Sequence, residues 1–138
     1  MIRDYEPTDM PDLMAIHHAN GLPANCFPEL EIQDGDKKVP NPLYAVKRTV
    51  IEQGTIAMGG FLKITSEVHL LLDHKVGDPE LRWQWLQELS EDLKQQGYKQ
   101  GLQDLTLWVP PEVEKSFGKR LEDLGYQPSP WKSYTLKL

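Results

Sequence analysis

The chain has a single cysteine, Cys26, in 138 residues, so no internal disulfide can hold it together. That scarcity fits a reducing compartment. No apolar run approaches the ~20 residues needed to span a bilayer. The opening Met-Ile-Arg-Asp-Tyr-Glu-Pro-Thr-Asp carries no apolar signal region. These absences lead us to expect a soluble, cytoplasmic protein. Basic residues are also in deficit: 15 Lys and Arg face 21 Asp and Glu, for a net charge of -6 and a pI near 5.2. That balance argues against unspecific binding to nucleic acid or an anionic membrane. The acidity is concentrated early. Asp4, Glu6, Asp9, Asp12, Glu29, Glu31, Asp34 and Asp36 are opposed only by Arg3. Repeats and low-complexity tracts are absent, and the length suits one domain over 1–138.

What is present is organised around Ser66 to Gly97. Val68 to Val76, with Leu70-Leu71-Leu72 at its centre, predicts a strand covered on both faces. Val76-Gly77-Asp78-Pro79 is a turn. Asp78 can cap the following helix and Pro79 suits its first position. Leu81, Trp85, Leu89 and Leu93, with Leu86 on the flank, form one apolar stripe. Gly97 is the expected helix stop. A strand feeding a helix N-terminus is where free N–H groups and the helix dipole receive anions.

The rest of the chain reads in order. Ile2 to Tyr5 is a short strand, and Thr8 or Asp9 caps a helix through Pro11 to Asn20, closed by Gly21. His17 and His18 lie on that helix, but neighbours in sequence cannot chelate one metal from one helix face. Leu22 to Pro42 holds Pro23, Pro28, Pro40 and Pro42 and reads as irregular, a lid-like segment over 22–43 with a helical turn near Pro28 to Ile32. Cys26 lies in it with no base nearby in sequence to activate its thiol. Tyr44 to Glu52 and Thr55 to Ile64 form a hairpin around Gln53-Gly54, with Gly59 and Gly60 marking a bulge or close approach. Gln103 to Val109 is a strand, Glu112 to Leu124 a helix with a Val113, Phe117, Leu121, Leu124 stripe, and Ser129 to Leu138 a closing strand. Trp85 and Trp108 read as core. Trp83 falls off the stripe, and it either packs over the turn or contacts a nucleotide ring or protein partner. The predicted fold is α/β: a mixed sheet, antiparallel hairpins followed by a parallel crossover, with helices on both faces.

This order, together with the opening MIRDYEPTDMPDLMAIHHANG and the ending RLEDLGYQPSPWKSYTLKL, resembles the GNAT superfamily of acyl-CoA N-acyltransferases. The resemblance covers nearly the whole chain outside about Leu22 to Leu43. It implies acetyl-CoA or another acyl-CoA as donor, lying beside Leu70, Leu72, Asp73, Lys75, Val76 and Gly77. It implies an amine-bearing small molecule or protein as acceptor, entering from the Leu22 to Asn41 side. The family's Arg-x-x-Gly-x-Gly turn, whose backbone cradles the diphosphate, falls here on Gly77, Glu80 and Arg82. Its phosphate-approach glycines are replaced, while Arg82 and Lys75 remain as cations. The tyrosine that often serves as acid in the family falls on Leu121.

Glu67 and His69 sit two apart, so in a strand both side chains face one side. Either could take a proton from the amine, or the two could be an edge carboxylate and a sheet histidine. Two other readings stand beside the enzyme. One is an inactive GNAT-fold module, akin to degenerate members found in phage and bacterial genomes, acting through a protein partner. The other is a small-ligand sensor.

Overall fold

The first strand, β1, spans Ile2–Asp4 and stops where Glu6-Pro7 turns the chain. In this computed structural model, which describes residues 1–138, β1 belongs to the first of two compact units, Met1–Ile64 and Thr65–Leu138. Asp9 holds the turn. Its carboxylate accepts the Glu6 N–H at 2.8 Å and both guanidinium nitrogens of Arg3, at 2.7 and 2.6 Å. Helix α1, Met10–Ala19, follows with Pro11 in its first turn and Leu13 buried, and Gly21 leaves it at φ 71°.

The segment expected to be an irregular lid holds more order than its prolines suggest. A 3-10 turn covers Ala24–Cys26, and no helical turn forms near Pro28 to Ile32. Instead β2, Glu31–Asp34, pairs antiparallel with β3, Lys37–Pro40. Gly35, at φ 60°, takes the first of the two loop positions, where a type II′ hairpin wants glycine. Asn41 closes the base of this hairpin over buried Leu30. Its amide donates to the Glu29 carbonyl at 2.8 Å and its side-chain oxygen accepts from the Leu43 N–H at 3.0 Å.

Strands β4, Tyr44–Glu52, and β5, Thr55–Lys63, form the expected hairpin. Gln53 and Gly54 turn it at φ 50° and 78°, the two positive angles of a type I′ turn. The sheet order is β1-β4-β5, all antiparallel. Gly59 marks a close approach: a Cβ there would stand 2.8 Å from Leu13 Cδ2 of α1. Helix α1 therefore rests on one face of this sheet. Within the first unit, α1 is the only α-helix, and it packs on this one face. Met58 and Leu62 on the opposite face are 63% and 64% exposed.

In the second unit the organising strand is much shorter than its apolar run predicts. β6 is only Glu67–Val68. Leu70 to Val76 lies outside the ladder, with Leu71 99% exposed. No neighbouring strand pairs with Leu70 to Leu72, and a local turn ends the run. The Asp73 carboxylate accepts the Lys75 N–H at 2.9 Å and its carbonyl accepts the Val76 N–H, so the chain turns here. Helix α2, Pro79–Lys99, starts as expected, with the Asp78 side chain accepting from the Leu81 N–H at 2.8 Å. Its end differs. Gly97 is buried within the helix, where a Cβ would meet Leu105 at 3.2 Å, and Gly101 at φ 78° is the actual stop. Bonds from Leu102 N–H to Gly97 and from Gly101 N–H to Tyr98 make a Schellman cap. The buried face also differs. Ser90 and Gly97 are its buried residues, with Trp83, Leu86 and Leu93 half-buried beside them. Leu81, Trp85 and Leu89, expected in the core, are exposed, Leu89 by 46%.

After α2, β7 covers Thr106–Leu107 and pairs parallel with β6, Glu67 beside Thr106 and Val68 beside Leu107. Helix α3, Pro111–Asp123, buries Leu121 and ends at Gly125, φ 93°, in a second Schellman cap. Ser129 to Leu138 forms no strand. Its alternating pattern lacks a paired edge, and an unpaired period-two segment has no ladder to hold it. The molecule is therefore mixed α/β, with three α-helices, antiparallel sheets and one small parallel pair.

Candidate functional site

The parallel pairing of β6 and β7 brings Trp108 to Glu67 and His69, some 40 residues earlier in the sequence. Glu67 ends up next to β7, and Trp108 follows directly after that strand. The Trp108 indole N–H donates to Glu67 Oε1 at 3.1 Å, and Glu67 Oε2 stands 3.3 Å from His69 Nε2. The carboxylate is thus held from one side by the indole and faces the imidazole on the other. The expected candidates Glu67 and His69 are brought together as a pair. Trp108, expected in the core, is 58% exposed and acts on Glu67. No residue near Trp108 in sequence signals this, because the contact depends on the register of two strands some 40 residues apart.

A carboxylate beside Nε2 favours the tautomer with the proton on that nitrogen. The Nδ1 lone pair is then left as the basic site. The Glu67 and His69 side chains are both largely exposed, so a substrate can reach them from solvent.

The turn at Val76-Gly77-Asp78 has a different character. A helix N-terminus receives an anion through its free N–H groups. Here the Leu81 N–H is already taken by the Asp78 carboxylate, and the Arg82 N–H by the Asp78 carbonyl. The Arg82 guanidinium bends back onto the chain. Its Nη1 donates to the carbonyls of Gly77 at 2.6 Å, and of Val76 and His74, both at 3.3 Å. Gly77, at φ 67°, is roofed by Trp85, whose ring would stand 2.9 Å from a Cβ there. The residues expected to meet a diphosphate are therefore engaged with their own backbone, and Asp78 and Glu80 add negative charge. This turn does not fit a diphosphate group. Leu71, Leu72, Asp73, His74 and Lys75 line a shallow open depression just before it.

Trp83 is half-buried and faces α3. The Arg120 guanidinium of α3 lies 5.6 Å from its ring centroid, a cation–π contact between the two helices. A cavity of about 850 Å³ opens between the C-terminal half of α2, β7, α3 and the chain end, with Leu105, Leu107, Leu121 and Tyr126 among its walls. Trp108, whose indole bonds Glu67, lines it too. In the first unit, His17 packs edge-on against Phe27 and approaches the Pro23 carbonyl at 2.8 Å. Cys26 is exposed, with only the Asn25 side chain beside its thiol. No three His, Cys, Asp or Glu side chains gather as a metal site, and no helix is long and apolar enough to cross a membrane.

No family model, curated protein or solved structure matches this chain.

Proposed function

We propose that this chain is a GNAT-type N-acyltransferase acting on an amine, with His69 as general base and no diphosphate grip on its acyl donor. The observation that carries this reading is the Glu67–His69 pair, 3.3 Å apart and held by the Trp108 indole. A base oriented by a carboxylate, which is itself oriented by a third group, is the arrangement that proton abstraction needs. The His69 Nδ1 lone pair takes a proton from the substrate ammonium, freeing the amine to attack, or from the amine as it attacks. Glu67 stabilises the imidazolium so formed, and Trp108 keeps Glu67 in place. The donor, acetyl-CoA or another acyl-CoA, supplies a thioester carbonyl; as the amine nitrogen bonds to it the C–S bond breaks, and the CoA thiolate leaves and takes up the proton held on the His69 imidazolium. The main chain of Leu70 and Leu72, which pairs with no strand, is the surface offered to its pantetheine arm.

The test is acyl transfer to a panel of amines. His69→Ala should lower kcat/KM by ~10²–10⁴, the usual worth of a positioned base. Glu67→Gln and Trp108→Phe should lower it less, and acetyl-CoA affinity should hardly change in any of the three. Near-normal rates in both His69→Ala and Glu67→Gln would overturn the assignment.

A second reading rests on the turn. Asp78 and Arg82 occupy the positions a diphosphate would need, which favours a non-catalytic GNAT-like module that acts through a protein partner. Titration calorimetry with acetyl-CoA separates the two. The enzyme reading expects weak binding, with Kd above about 100 μM, worth at most ~5.5 kcal/mol. The module reading expects none at millimolar donor.

A further inference from the structure

The three-stranded sheet of the first unit leaves β5 at its edge, with a strand on one side only. This edge is unusual in its sequence. β5 is nine residues long, Thr-Ile-Ala-Met-Gly-Gly-Phe-Leu-Lys, without a proline and with a single charge, Lys63, at its end. The opposite edge, β1, is only three residues. Edge strands of monomers are normally kept short or blunted with charge or proline, because their free N–H and C=O groups template pairing.

We propose that β5 pairs antiparallel with β5 of a second copy of this chain, across a two-fold axis at Gly60. A two-fold contact must be self-complementary, each residue meeting its counterpart in reverse order. With the axis at Gly60, Met58 stands opposite the partner's Leu62, and Leu62 opposite the partner's Met58. Both are exposed side chains on the face opposite α1. The existing register then extends across the axis. Ile2, Val50 and Met58 already form one row, and Val46 and Leu62 another. Pairing joins Ile2, Val50 and Met58 to the partner's Leu62 and the partner's Val46, making a continuous apolar row of five, twice.

The charges agree with this arrangement. Between the two apolar rows runs the row of Asp4, Arg48 and Gly60, in which Arg48 and Asp4 are already paired at 2.6 Å. Lys63 falls opposite the partner's Ala57. The two copies of Lys63 lie six residues apart along the strands, roughly 20 Å. That exceeds the ~8 Å screening length at physiological salt, so they do not repel.

Sedimentation equilibrium of the full chain tests this, and two double variants make the test specific to the register. The wild-type chain should be dimeric at about 100 μM. Met58→Lys with Leu62→Lys places like charges opposite each other twice and should weaken dimerisation by roughly tenfold or more. Met58→Glu with Leu62→Lys places opposite charges there and should restore it. Both substituted positions are exposed, and circular dichroism checks that both variants keep the fold. A monomeric wild type at 100 μM would overturn the proposal. So would two variants that weaken the dimer equally, since the interface would then not follow this register.

Discussion

At the scale of single residues, Thr49 is the clearest local conflict. It is completely buried on β4, between Arg3 and Gly59 in the sheet register, yet its hydroxyl has no hydrogen-bond partner. A buried polar group without a partner costs roughly 1–3 kcal/mol. Thr49→Val keeps the branched shape and removes that group. We expect the variant to be as stable as the wild type or more stable by about 1 kcal/mol, read from the urea midpoint. A loss of more than about 1 kcal/mol would mean that the hydroxyl has a partner, such as an ordered water. Gly59, beside it, makes the opposite point. Gly59→Ala would press on Leu13 at 2.8 Å and on the Phe61 ring at 3.0 Å. The expected cost is about 1–3 kcal/mol, the usual penalty of overpacking, and an unchanged midpoint would show that α1 can move away freely.

At the scale of elements, α2 shows why a hydrophobic pattern misplaced a face. Leu81, Trp85, Leu89 and Leu93 recur every four residues and look like a buried stripe. The face that packs instead carries Trp83, Leu86, Ser90, Leu93 and Gly97, alternating steps of three and four. Ser90 and Gly97 do not register as apolar, but their small size permits close approach, Gly97 to Leu105 in particular. The same helix separates two roles for glycine. Gly101→Ala should cost about 1–2 kcal/mol, because φ 78° is a left-handed conformation that a Cβ disfavours. Gly97→Ala has no such backbone penalty. It gains up to ~1 kcal/mol of helix propensity against the crowding at Leu105, and should change stability less than Gly101→Ala. The reverse order would restore Gly97 as the helix stop.

At the scale of the whole molecule, the chain's acid sensitivity should trace to Asp9. The Arg3 guanidinium, bonded to both carboxylate oxygens, holds the Asp9 carboxyl below its usual range, helped by the Glu6 N–H and opposed by burial. A carboxyl whose folded pKa is lowered stabilises the fold fully above its unfolded value, about 3.9. That contribution is lost as the pH falls through the lower folded value. The wild type should therefore lose urea resistance below about pH 4. Asp9→Asn should be less stable at pH 7 and show a flatter acid limb. An equally steep acid limb in the variant would assign it to other carboxylates.

Local chemistry was legible in the chain alone. The Asp78 cap, the stops at Gly21 and Gly125, the Gln53-Gly54 turn, the hairpin it joins and the mixed α/β character follow from backbone preferences that act over a few residues. So did the nearness of Glu67 to His69, two positions apart on the chain. What tertiary structure alone decided is everything that needs a partner distant in sequence. Leu70 to Val76 and Ser129 to Leu138 have strand composition, but a strand exists only where another edge accepts its hydrogen bonds. Trp108 reaches Glu67 only because two residues of β7 lie in register with two of β6. Arg82 turned from a candidate phosphate ligand into a clasp for its own turn, because three carbonyls converge on it in space. Propensity is a property of the residue and its neighbours, whereas pairing and convergence depend on where the chain returns.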